Sequence, residues 1–204
     1  MTLSFGENMT ESFEFAKDGL VGHWVRWVIL LVISCIPIVS FISYGYLVKI
    51  YKGASVAPEL EDYVGMFIDG IKLFIIGIGY MIIPLIMIIA AVFVGVAGTL
   101  GMLLMLIGGV LTIIFGLAAM IGGIRFAKTD QLGEGFNFGA VFATINEIGW
   151  GHYILSYIVF IIVICIIVVI LSLIPIIGQV LLLIITPVIL LLQGKFFENL
   201  YSCA

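Results

Sequence analysis

Charge is what this sequence has least of. Its 204 residues include only eight Lys and Arg and twelve Asp and Glu, 10% of the chain, against 64% apolar residues. An average soluble domain has about 25% charged and about 45–50% apolar residues. So little polar surface cannot cover the apolar mass, so the main solvent of this protein is lipid. There is no basic patch and the net charge is −4, which excludes nucleic acid as a partner. Cysteine is nearly missing too. Cys35, Cys165 and Cys203 lack metal or redox spacing, and three thiols cannot pair completely. They are expected to be buried small apolar side chains.

Histidine occurs twice, as His23 and His152, each beside an aromatic residue (Trp24, Tyr153) at the start of an apolar run. Without Cys, Asp or Glu at ligand spacing they make a poor metal site. They fit an interfacial aromatic belt better. The chain has no GxSxG, no HExxH, no ordered Ser/His/Asp set and no phosphate-cradling glycine loop. An intramembrane enzyme needs a carboxylate pair, a Ser–Lys pair or histidines deep in the bilayer. The charge-free runs hold no such set, so neither an enzyme nor a cofactor is expected.

Those runs define the fold. No Asp, Glu, Lys or Arg occurs in the 22 residues between Arg26 and Lys49, the 52 between Lys72 and Arg125, or the 47 between Glu147 and Lys195. A span needs about 20 apolar residues, so the runs hold one, two and two. We expect an all-α integral membrane protein, a single domain over residues 1–204, with about five transmembrane helices at 24–48, 71–95, 100–124, 150–173 and 177–197. Pro37 removes a backbone donor and should kink the first span. The competing form is a re-entrant hairpin turning at Pro37, with arms of about 13 residues reaching only about 20 Å. That is too short to cross, and it favours the single kinked span. The first twenty residues carry Glu7, Glu11, Glu14 and Asp18, where a cleavable signal would have a basic start and an apolar centre. Insertion is therefore expected to be directed by the first span.

Three segments have the spacing of amphipathic helices lying at the interface: 5–22, 58–70 and 133–148. In the first, Met9, Phe13, Ala16 and Leu20 oppose the carboxylates. In the second, Leu60, Tyr63, Val64 and Phe67 oppose Asp62, Gly65 and Asp69, with Pro58 suited to a first helical turn. In the third, Phe138, Val141, Phe142, Ile145 and Ile148 oppose Asn137, Thr144 and Glu147. Short matches in the same order, such as Ile36-Pro37-Ile38-Val39 with Ile174-Pro175-Ile176-Ile177, fit an internal duplication. With five spans, Lys49, Lys52, Lys72, Arg125, Lys128 and Lys195 share one side, and Lys17 and Arg26 lie on the other. Most Lys- and Arg-bearing loops and the C-terminus are then cytoplasmic and the N-terminus is outside. A hairpin would put all eight on the cytoplasmic side.

The run Gly45-Tyr46-Leu47-Val48-Lys49-Ile50-Tyr51-Lys52-Gly53 is followed by Pro58-Glu59-Leu60-Glu61-Asp62-Tyr63, then Phe67-Ile68-Asp69-Gly70-Ile71-Lys72, then Tyr80 and Pro84. That order resembles the archaeal multi-pass membrane family known as domain of unknown function 4013. Arg125-Phe126-Ala127 and Gly149-Trp150-Gly151-His152-Tyr153 are similar to its methanogen branch. The resemblance covers nearly the whole chain and implies a helical fold in an archaeal cell membrane. It implies no activity, ligand or catalytic residue.

Candidate functional positions are few. Asp69 and Lys72 share a helix face three residues apart; they would either line a polar pathway or, for the lysine, snorkel to the interface. Gln179 and Gln193 are the amides of the last hairpin, along a solute path or at a turn and a membrane exit. Arg125, Lys128, Asp130, Glu134 and Glu147 form a candidate partner surface, or a linker lying on the membrane. Gly108, Thr112 and Gly116 recur every four residues, a helix-packing stripe within the chain or between copies. The expected role is non-catalytic, a scaffold that binds partners or an organiser of lipid. The alternative is a small transporter or channel for a neutral or weakly polar solute, built on helices interrupted at Pro37, Pro84 and Pro187. The expected partners are the lipid bilayer and another membrane protein or a second copy of the chain.

Overall fold

The computed structural model describes residues 4–203, which contain nine helices and no strand. They are α1 (Phe5–Leu20), α2 (Trp24–Cys35), α3 (Phe41–Tyr51), α4 (Tyr63–Val94), α5 (Thr99–Thr129), α6 (Leu132–Gly135), α7 (Phe138–Ile148), α8 (Trp150–Ser172) and α9 (Ile177–Ser202). Four of these, α4, α5, α8 and α9, are long and apolar enough to cross a membrane. They coincide with the last four expected spans. A fifth exists only if α1 and α2, bent by 102° against each other, are counted as one. The ends follow from the backbone. Gly95 closes α4 at φ +96°, and Gly149 joins α7 to α8 at φ +90°, conformations that glycine adopts without steric cost. Neither Pro84 nor Pro187 breaks its helix; both are buried within α4 and α9.

The first span is a helical hairpin, not a kinked crossing. In one continuous helix the α-carbons of Arg26 and Lys49 would stand about 35 Å apart. Instead both side chains reach one residue: Arg26 donates to the Glu59 carboxylate at 2.7 Å and Lys49 to the Glu59 carbonyl at 3.3 Å. The Tyr46 hydroxyl donates to the Pro58 carbonyl at 2.9 Å. At the closed end the Ser34 and Ser43 hydroxyls meet at 3.1 Å across residues 36–40. Arms too short to cross count against a span but not against a loop that enters and leaves on one side. Such a loop is tolerated at membrane depth where protein covers its backbone. Here α3 lies against α4 and α9, and the Trp27 indole donates to the Ile184 carbonyl of α9 at 2.8 Å.

The hairpin brings the N-terminal helix to the same end of the bundle as the C-terminal turns of α9. The chain returns before α4, and α1 packs on the last turns of α9, where Asn8 donates to the Phe196 carbonyl and accepts from Asn199. Lys17 and Arg26 therefore lie at the same end of the bundle as the other six basic residues. In sealed vesicles of a Cys35→Ala, Cys165→Ala background, Cys203 and, in a separate Cys203→Ala chain, a Glu14→Cys thiol are expected to react with an impermeant maleimide from one side. Reaction from opposite sides would restore the single kinked span.

Two amphipathic segments also differ from expectation. Residues 58–62 are not helical. Asp62 caps α4 by accepting from the Gly65 amide, so the segment expected at 58–70 is the first two turns of a span. In α1 the covered face is Asn8, Ser12, Phe15, Ala16, Gly19 and Leu20, while Phe13 is 54% exposed. Small and polar side chains let α1 approach α9 and the loop at Ala57 closely, and the asparagine bonds fix its rotation. In α7, Val141, Thr144, Ile145 and Ile148 are buried, and Phe138 is 41% exposed.

Candidate functional site

Two features stand out on this frame: a layer of charged side chains at one end of the bundle, and a groove directly beneath it. The layer closes on itself. Glu198, 4% exposed, accepts from Lys128 at 2.9 Å, Lys195 at 3.2 Å and the Ser202 hydroxyl at 2.7 Å. Lys195, 8% exposed, also donates to the Ala54 carbonyl. Lys52 pairs with Asp130, Arg125 with Glu134 and Lys72 with Asp69. Arg26 is buried, and a second guanidinium nitrogen donates to the Gly19 carbonyl at 2.8 Å. These contacts join α5 to α9, the end of α3 to the end of α5, and α2 to α1 at one end of the bundle. The Arg125 hydrogen bond, and after it that of Asn137, hold the Glu134 carboxyl below its usual value. What this pair adds to stability is thus fully present above the ordinary carboxylate value and is lost as pH falls through the lowered one.

The groove is a cavity of about 540 Å³ between α3, α4 and α5, with α9 behind it. Leu47 and Tyr51 form its buried inner wall, and half-exposed Tyr44, Phe74, Ile78, Ile82 and Leu85 form its rim. It starts at Leu73, one residue below the Lys72–Asp69 pair, and follows α4 to Leu85, about 18 Å of helix. Gly77, Gly116 and Ala119 leave the space open. A β-carbon on Gly77 would meet nothing within 4 Å, and one on Gly116 only the Met81 methyl at 3.9 Å. A second cavity of about 210 Å³ lies between α8 and α9; Met120 and Gln193 line both. The Tyr51 hydroxyl donates to the Met120 sulfur at 3.2 Å, which pins that wall.

The expected candidates are dispersed. Asp69 and Lys72 meet each other at 2.9 Å at the charged end, and the lysine also stands over the Phe126 ring. Gln179 is exposed at the far, uncharged end, whereas Gln193 lines the groove. Cys35 and Cys165, expected to be buried, are exposed on α2 and α8. Of the proposed partner surface, Arg125, Lys128, Asp130 and Glu134 are held in ion pairs within the chain, and Glu147 is exposed. In the small-residue stripe, Gly108 packs on Ile88 of α4, Thr112 bonds back to the Gly108 carbonyl and Gly116 opens onto the groove. Sequence reasoning missed Glu198, Asn199 and Asn8. A signal was available: Lys195, Glu198, Asn199 and Ser202 recur at helical spacing on one face, at the end of a helix too apolar to leave them free.

The family model described as protein of unknown function, DUF4013, matches residues 28–176. The chain belongs to this family. No curated protein matches it, and no solved structure does. In this DUF4013 chain the matched stretch runs from α2 through the turn that precedes α9. It holds the hairpin, the α4–α5 pair and most of the groove. The helix that supplies Gln193 and Glu198 lies outside the matched residues.

Proposed function

We propose that this chain is a non-catalytic multi-pass protein of an archaeal cell membrane that holds and organises lipid through the groove between α3, α4 and α5. One observation carries the reading: a cavity of about 540 Å³ opens sideways between spans, with apolar walls, directly below a layer of paired charges. That size falls within the roughly 300–1,000 Å³ of small-molecule sites, and the medium at that depth is lipid. A scaffold for a protein partner has less support, because four of the five residues expected to present it are engaged within the chain. All eight basic residues at one end favour placing that end, with both termini, in the cytoplasm. A transport role has one observation in its favour, the broken hairpin α2–α3 meeting the continuous α9 at Ile184, since discontinuous helices frame transport sites.

Gentle extraction followed by native mass spectrometry tests the lipid reading. A fixed number of bound lipids, reduced when Gly77→Leu fills the groove, is the expected result. A stoichiometric protein partner with no retained lipid would overturn it.

A further inference from the structure

We propose that the groove is a site for an uncharged, single-chain amphiphile, anchored by the Gln193 amide. The inference deepens the lipid-holding role and rests on it. Gln193 lines both cavities, yet its side chain makes no hydrogen bond to any described residue. The neighbouring polar groups of α9 are all engaged: Lys195, Glu198 and Asn199 each have partners. An amide on a residue that lines two apolar cavities is costly in lipid unless something bonds to it. It offers both a donor and an acceptor, so it suits a hydroxyl, a carbonyl or an amide on the ligand.

The charge pattern narrows the class. No Asp, Glu, Lys or Arg lines the groove, and the nearest pair above it, Asp69 and Lys72, neutralises itself at 2.9 Å. A charged head at Gln193 would have no counter-ion in the lining, whereas an uncharged one needs none. The shape sets the rest. Gln193 sits two residues before Lys195, so its amide lies just under the charged layer. From there the groove descends past Ile78, Met81 and Ile82 to Leu85. A polar head at the upper end with one chain below matches that depth profile. The Tyr44 hydroxyl, which also makes no hydrogen bond to a described residue, is a further polar group on the rim.

The probes are a sixteen-carbon alcohol and the matching hydrocarbon, each with a mid-chain diazirine, in vesicles of neutral lipid. After photolysis the labelled residues are mapped by mass spectrometry. The alcohol is expected to label Ile78, Met81 and Met120 roughly fivefold more than the hydrocarbon does, the scale of one hydrogen bond. Gln193→Leu should remove that preference, and Gly77→Leu, whose side chain enters open space, should remove groove labelling altogether. Equal labelling by both probes, or a preference that survives Gln193→Leu, overturns the anchor and leaves the lipid groove standing. Labelling of the groove no stronger than that of the outer face of α8 overturns both. If Gln193→Leu fails to fold, the comparison of the two probes on the unaltered chain still decides.

Discussion

Glu198→Leu is expected to destabilise the folded chain by about 3–5 kcal/mol, the usual effect of leaving a buried charge without its partner. Lys195 is 8% exposed, and its other hydrogen bond is a long one, 3.4 Å to the Ala54 carbonyl. Once Glu198 is gone, the remaining carboxylate within reach among the described residues is Glu11 at 3.9 Å, which is itself half exposed. Whole domains have only about 5–15 kcal/mol of stability, so the variant should lose a large part of its folded population in detergent. Replacing both partners, Lys195→Met with Glu198→Leu, should recover most of the loss, because an apolar pair in place of a buried ion pair is often neutral. Lys128, 26% exposed, keeps its bond to Ser202 and access to water. The check is a double-mutant cycle on the unfolding midpoint. A double variant no more stable than the single one would show that Glu198 acts through something other than its charge.

That cluster also shows where sequence reasoning stops. The four long helices were legible because charge-free runs of 52 and 47 residues leave lipid as the medium. Glycine at 95–101 and Pro175 place the turns within them. The hairpin was not legible, since Pro37 suits a kink and a turn equally well. The decision lies in contacts between residues far apart in the chain, Arg26 with Glu59 and Tyr46 with Pro58. The covered face of α1 was legible only in part, for a related reason: Ala16 and Leu20 are buried and Met9 packs on the core as expected, while Phe13 is exposed. Periodicity identifies the apolar face, but the partner here is a helix end carrying Asn199, and it selects the face with Asn8 and Ser12. The groove was half visible. Small residues at 108, 112, 116, 119 and 123 announce a close approach, and only the fold tells which of them α4 fills and which it leaves empty.

The crossing of α3 over α4 should be the least tolerant point of the matched family region. A β-carbon on Gly45 would fall on the Met66 carbonyl, and one on Gly70 on the Phe41 carbonyl. Both obstacles are backbone, which cannot rotate aside as a side chain does. Gly45→Ala and Gly70→Ala are therefore expected to destabilise the protein by about 3 kcal/mol, the upper end of ordinary overpacking. Gly77→Ala is the counter-experiment. It lies on the same helix as Gly70 and its added methyl meets nothing, so it should raise stability by about 0.5–1 kcal/mol through the lost flexibility of glycine. Opposite signs at positions seven residues apart would be hard to obtain from helix propensity alone, which predicts a gain at both. The consequence for function follows from the lining: Tyr44, Leu47 and Tyr51 of α3 form one side of the groove. Gly70→Ala should push that side outward and lower alcohol labelling of Met81, even in molecules that remain folded. Unchanged labelling together with lowered stability would separate the crossing from the site, and α4 and α5 alone would then define where the chain binds.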